Sequence, residues 1–303
     1  MLKGHFVIAL STAWYLRSDP RLEPTLAAIH RMGFQAIEIG VSDAKFRLKK
    51  VKKCLEKVPL KVVSVHNVCT GRKLDPSNRR GDWLASTDDG RRRAGVEATL
   101  ESIENAKALG ASAVVLHLGS LPIEGKWEKQ EALRRLAAGE AGEVSAADLL
   151  AERERVAPAR LEAACRSLAE LLERSSGVAL GIECRMGWHE LPSLAELGAI
   201  LERFPDPRVG YWHDVGHAVI QDTLRLADQH EWLRRHGART LGIHLHDVRD
   251  GYRDHYPPGL GEVEFEPLLG LLPEGAIRVM ELSSGFIAEE VTLGRTRLEE
   301  MGF

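Results

Sequence analysis

Short apolar runs alternate with longer amphipathic stretches from one end of this chain to the other, and that alternation limits the fold more than any other feature. Phe6 to Leu10, Ala36 to Ile39, Lys61 to His66 and Ala113 to His117 read as strands. So do Val178 to Glu183, Val209 to His213, Leu241 to His246 and Ile277 to Glu281. Each is the near-continuous apolar run expected of a strand covered on both faces. Helical stretches lie between them. Leu22 to Met32 follows Pro20 and is closed by Gly33. A basic stretch capped by Ser42 or Asp43 ends near Pro59. Asp88 to Leu109 is closed by Gly110. Later helices run from Pro158 to Arg174, from the Ser193 cap to Phe204, on to about Arg235, and finally to Leu298.

Repeated βα units build a parallel sheet with right-handed crossovers. The expected architecture is therefore α/β, a single-domain (β/α)8 barrel across residues 1–303, a length such barrels reach as one unit. An open doubly wound sheet is the alternative. No G-x-G-x-x-G follows the first strand, so its dinucleotide-binding version loses its main support. Residues 121–156, after the fourth strand, are rich in Glu, Arg and Ala. They read as a helical insertion on the face where a barrel keeps its active site, either a lid, an exposed decoration or a contact in a homo-oligomer.

Charge and cysteine content narrow the partners. There are 41 basic and 44 acidic residues, a net charge of -3, without the basic excess of a nucleic-acid-binding surface. No apolar run is long enough to span a bilayer. Cys54, Cys69, Cys165 and Cys184 form no C-x-x-C pair, and a chain of this size needs no disulfide framework; a cytoplasmic location is expected.

The chemistry lies at the strand ends. His66 closes the third strand, His117 the fourth and Glu183 the fifth. Asp214 closes the sixth, with His217 three residues on. His244, His246 and Asp247 end the seventh, with His255 in the next loop, and Glu281 ends the eighth. A closed parallel barrel gathers these ends on one face, where barrel enzymes carry their catalytic groups. Crowded carboxylates repel one another, and burial raises the cost. A divalent cation offsets both. Mixed carboxylate and imidazole donors suit Zn, Mn or Co, with Mg also compatible.

Val114-Val115-Leu116-His117-Leu118-Gly119, Trp212-His213-Asp214-Val215-Gly216-His217-Ala218 and His244-Leu245-His246-Asp247 resemble the motifs of the xylose-isomerase-like TIM barrel superfamily. That superfamily holds sugar isomerases and epimerases, inosose dehydratase-like enzymes and type-IV apurinic endonucleases. The resemblance implies a metal held by Glu183, Asp214, His244 and Glu281, with Glu183 and Glu281 also the catalytic proton-transfer pair. It implies a small sugar or polyol substrate. His66, His117, His217 and His255 match positions that bind further zinc in the endonucleases or contact substrate in the isomerases. The endonuclease pattern wants Asp-x-His at the last of these, and here Arg253 stands at its first position, which argues against a third metal, although Asp254 directly precedes His255 and leaves a shifted geometry open. A polyol dehydratase, an endonuclease and a non-catalytic barrel are the alternatives.

Further residues are candidate substrate contacts. Trp14 and Trp212 could offer aromatic faces, and Trp188 could close over a ligand. Arg185 could hold a substrate oxygen or pair with a carboxylate. Glu38 could touch substrate or support a ligand histidine from behind.

Overall fold

The protein is described by a computed structural model covering residues 6–16, 21–40, 46–78, 81–140 and 145–303. Eight parallel strands close into a barrel: β1 (Ile8–Ser11), β2 (Ala36–Ile39), β3 (Lys61–His66), β4 (Ala113–Leu116), β5 (Ala179–Glu183), β6 (Val209–Asp214), β7 (Thr240–Leu245) and β8 (Ile277–Met280). β1 pairs with both β2 and β8, which shuts the sheet on itself. The apolar runs thus mark every strand, with ends displaced by a residue or two.

Alternation along each strand sorts side chains into two layers. Inside the barrel, Ala9, Ala36, Ala113, Val115 and Val279 pack around Trp212. A lumen this narrow takes one indole only because its neighbours are small. A Cβ added at Gly242 would lie 2.5 Å from the Trp212 ring. Outside, Leu, Ile and Val side chains of the strands meet the apolar faces of the helices.

Six helices cover the barrel: α1 (Leu22–Arg31), α2 (Leu48–Leu55), α3 (Asp89–Leu109), then, beyond the fourth strand, α4 (Lys126–Ala137), α5 (Ala146–Arg174) and α6 (Leu194–Arg203). Four more follow: α7 (Val215–Thr223), α8 (Glu231–His236), α9 (Glu266–Leu269) and α10 (Ala288–Met301). Asp88 caps α3 by accepting from Arg91 N at 2.8 Å, and Gly110 ends it at φ +76°. Ser193 and Glu196 form a reciprocal capping box on α6. The expected cap at Ser42 or Asp43, and Pro20, lie outside the described residues.

Three expectations change. The one helix expected to run to about Arg235 after the sixth strand is two, α7 and α8. A helix was expected to start at Pro158, separate from the insertion; instead α5 runs without interruption from Ala146 through Pro158 to Arg174. Pro158 is exposed, so the carbonyl it leaves without a donor, that of exposed Glu154, faces solvent and the helix continues. The insertion therefore consists of α4 and the first turns of a barrel helix. The polar loop after β7 is also more ordered than expected: Asp247–Arg249 and Arg253–Tyr256 form an antiparallel ribbon. No helix among the described residues is long and apolar enough to cross a membrane.

Candidate metal centre

The strand ends converge as a parallel barrel requires. Asp214 and His244 are register partners on adjacent strands, so their side chains enter the mouth side by side. Glu183 ends β5, and Glu281 follows β8 by one residue. All four are buried. His244 Nδ1 is the meeting point: Glu183 Oε1 lies at 2.9 Å, Glu281 Oε2 at 3.0 Å and Asp214 Oδ2 at 3.5 Å. The other ring nitrogen, Nε2, lies 3.2 Å from Glu38 Oε2, which also accepts from Ser64 Oγ at 2.8 Å. With the Nε2 proton donated to Glu38, the Nδ1 lone pair faces three carboxylates.

Four ligand atoms converging on one point could hold a cation there. Burial alone would lower the His244 imidazole, yet Glu281 and Glu38 raise it well above its usual range. Burial would raise Glu183, and His117, His244 and His66 hold it well below. Asp214 is held low against burial by His217 and His246. One proton cannot serve three carboxylates and an imidazole equally, whereas a divalent ion can. The donor set fits such an ion, with ligand atoms within 4.8 Å of one another.

Glu183 also faces a second group. Its Oε2 lies 2.5 Å from His117 Nε2 and 3.8 Å from His66 Nε2. Arg185 enters the same space, with Nη1 2.9 Å from Glu183 Oε2 and 2.7 Å from His117 Nε2. Burial and this guanidinium push the His117 imidazole down to about 3.

A third group joins His217, Asp254 and His255. His217 Nδ1 lies 2.9 Å from Cys184 O, which turns Nε2 toward Asp254 Oδ2 at 3.9 Å. At Arg253 the structure shows the shifted geometry that Asp254 left open. The Arg253 side chain turns outward to pair with Asp250, and Asp254 supplies the carboxylate. In a regular strand Asp254 and His255 would point to opposite faces. His255 has φ +60°, which breaks the alternation and brings both into the group. Asp254 and Glu281 raise His255 to about 10 against burial.

The candidate substrate contacts separate. Glu38 and Arg185 lie among the ligand groups. Trp212 is fully buried and packs edge-on against His244 at 5.3 Å, forming the floor. Trp14 donates from Nε1 to Phe286 O at 3.1 Å. Trp188 is buried beneath the insertion, its amide donating to Gln130 Oε1 and its carbonyl accepting from Arg153 Nη1. Beside Asp254 a cavity of about 530 Å³ opens, lined by Met186, Tyr252, Tyr256 and Phe286 among others.

Three residues given no separate role from the sequence complete the site. His246 donates to both Asp214 oxygens, at 3.0 and 3.1 Å, and accepts from His255 N at 3.0 Å. Glu190 grips Arg185. Asp247 accepts from the amides of Val248, Gly259, Gly261 and Val263, which ties down the loop carrying His255. The His-x-His-Asp string signalled His246 and Asp247. Nothing in the sequence signalled Glu190.

A family model described as xylose isomerase-like TIM barrel matches residues 26–278. Solved structures similar to this chain include a D-tagatose 3-epimerase-like protein, 18% identical, covering 98% of this chain and 97% of that one, with a TM-score of 0.68. D-Psicose 3-epimerase with D-tagatose from Clostridium cellulolyticum H10 is 12% identical over 98% of this chain and 99% of its own, with a TM-score of 0.68. An IolI protein with a binding zinc atom is 15% identical over 98% of both chains, with a TM-score of 0.67. At these identities the likeness is one of fold. No curated protein sequence matches the chain.

Proposed function

The chain belongs to the xylose isomerase-like TIM barrel family, and we propose that it is a divalent-metal-dependent isomerase or epimerase of a small sugar or polyol. The observation that carries this reading is the approach of Glu183, Glu281 and Asp214 to His244 Nδ1. These four residues would hold Mn, Co or Zn, with Mg compatible. When bound, the ion supplies a Lewis acid that polarises the substrate carbonyl and eases the build-up of negative charge on its oxygens. Glu183, from β5, and Glu281, beyond β8, enter the mouth from different strands. In this proposal one takes the proton from the carbon beside the carbonyl and the other returns one. Glu38 fixes the His244 tautomer. His217, His255 and the cavity beside Asp254 are where the hydroxyls would bind. Four buried, unpaired cysteines support a reducing compartment, and the proposal places the enzyme in the cytoplasm.

A direct test incubates the protein and Mn(II) with a panel of ketoses and keto-polyols in heavy water and follows the carbon beside the carbonyl by NMR. Deuterium wash-in, with a new isomer, is expected from the parent and not from Glu183→Gln or Glu281→Gln. Loss of water from the polyol would instead assign a dehydratase. No exchange with any member of the panel, from protein loaded with metal, would count against the isomerase.

A second reading rests on one observation, the two further ligand groups beside the first. Adjacent sites of that kind suit metal-assisted hydrolysis of a phosphodiester, as in an apurinic endonuclease. Cleavage of abasic-site DNA with a steep salt dependence would support it.

A further inference from the structure

Arg185 places a fixed positive charge among atoms that would otherwise make a second metal site. We propose that the Arg185 guanidinium is the built-in cation of the His66–His117–Glu183 group, so that this group takes no metal ion. The inference rests on the proposed ion at Glu183, Asp214, His244 and Glu281 only in sharing Glu183 with it.

The geometry of the guanidinium comes first. Arg185 is buried, and its nitrogens divide between two tasks. Nε and Nη2 lie 3.2 and 3.1 Å from Glu190 Oε1. Glu190 Oε2 in turn accepts from Gly187 N at 2.9 Å, in the turn that follows β5. The Arg185 carbonyl accepts from Gln221 Nε2. The side chain and its own backbone are therefore both tied down. Nη1 remains, and it is aimed at His117 Nε2 and Glu183 Oε2, two of the three ligand atoms of the group. A buried guanidinium needs anions, and Glu183 and Glu190 supply them.

The lone-pair count comes second. A neutral imidazole offers one lone pair. If His117 Nε2 accepts the Arg185 N–H, or carries a proton donated to Glu183 Oε2 at 2.5 Å, it has no lone pair left for an ion. Glu183 has two oxygens, and the two groups take one each: Oε1 faces His244, and Oε2 faces His117 and Arg185. The shared carboxylate thus has one charge to balance on each side, and on the second side Arg185 already stands.

The outer support of the imidazoles is a third, independent observation. A ligating histidine commonly donates its other N–H to an oxygen. His66 Nδ1 meets Asn67 O at 3.0 Å, His217 Nδ1 meets Cys184 O at 2.9 Å, and His244 Nε2 meets Glu38. His117 Nδ1 is buried with no hydrogen-bond partner. The one imidazole that Arg185 engages is the one without the support a metal ligand usually has.

The test counts ions. Dialysed protein is titrated with Mn(II), with stoichiometry read by elemental analysis and pairing of ions by the exchange-coupled EPR signal. Arg185→Met is expected to bind one Mn(II) per chain more than the parent, and His66→Ala added to it should abolish the gain. His66→Ala in the parent should leave the count unchanged, a result that does not depend on Arg185→Met folding. Arg185→Gln provides a second charge-free variant. Loss of one ion from the parent on His66→Ala would overturn the proposal. So would equal counts in the parent and folded charge-free variants. If the parent binds no ion at all, the four-residue reading falls, while the change caused by Arg185→Met still decides this one.

Discussion

Glu38 Oε2 lies 3.2 Å from His244 Nε2, and this contact decides which nitrogen of the imidazole faces the three carboxylates. Glu38 is not among the four residues whose ligand atoms group together, Glu183, Asp214, His244 and Glu281. It acts through His244, and Ser64 Oγ at 2.8 Å holds it in place.

Glu38→Gln should therefore weaken metal binding by about 10- to 100-fold, the usual effect of removing such an outer partner. The amide can present its NH₂ to His244 and favour the wrong tautomer. Competition against a chromophoric chelator measures the change. Activity at saturating metal should recover largely, whereas Glu281→Gln should not recover, because it removes a ligand and a proton carrier together. Equal recovery of the two variants would remove the distinction between ligand and support.

Stripping the ion should destabilise the fold as well as the activity. Anything that binds only the native state stabilises it by RT ln(1 + [L]/Kd), about 2.7 kcal/mol at a hundredfold excess over Kd. Without the ion, Glu183, Asp214 and Glu281 share one mouth balanced only by imidazoles and, at Glu183, by Arg185. A chelator should lower Tm, and Mn(II), Co(II) or Zn(II) should restore it. Asp214→Asn should show a smaller ion-dependent shift. A Tm indifferent to chelator and to added metal would mean that no ion is held there.

Much of this site could be read from residue order, because strand ends in a closed barrel have only one place to go. His66, Glu183, Asp214 and His244 lie within their strands, and strand phase fixes their direction. What could not be read depends on departures from regular backbone. Arg253 looked like an obstacle and Asp254 like an opening for a shifted geometry; it takes the left-handed His255 to bring Asp254 into the group. Pro158 looked like a helix start because proline usually is one, but its exposure allowed α5 to continue. Trp188 and Trp212 are both buried, a depth that aromatic type alone does not indicate. The Glu190–Arg185 pair is a matter of turn geometry, which spacing alone does not specify.

Glu190 gives an acid-sensitive contribution that can be isolated. Burial would raise its carboxyl, but Arg185 and the neighbouring histidines lower it from 4.5 to about 2. A depressed folded pKa means stability fully present above the unfolded value and lost as pH falls from about 4.5 toward 2. The shift corresponds to something on the order of 3 kcal/mol. Chelator-treated parent should lose stability steeply over that window in denaturant titrations, and Glu190→Gln should show a flatter acid limb from a lower plateau. An unchanged slope in the variant would assign the acid sensitivity to other carboxylates.

The Asp-x-Gly-His string has its own physical reason, and it leads to the sharpest structural prediction. Asp214 caps α7 by accepting from His217 N at 2.7 Å, so the cap residue and the proposed ligand are one side chain. His246 packs so closely over Gly216 that a Cβ there would collide with its ring. Gly216→Ala must therefore push His246 away from both Asp214 oxygens. Gly normally costs a helix about 1 kcal/mol relative to Ala, so the substitution should help a free helix. Here overpacking, typically 1–3 kcal/mol, and a freed buried carboxylate should outweigh that gain. The expected result is a lower Tm and weaker metal binding together. Gly216→Ala combined with His246→Ala removes the colliding ring and should recover part of the stability, but not the Asp214 hydrogen bonds. If Gly216→Ala alone stabilised the protein, helix propensity would have won, and the close approach of His246 would not be a constraint on this motif.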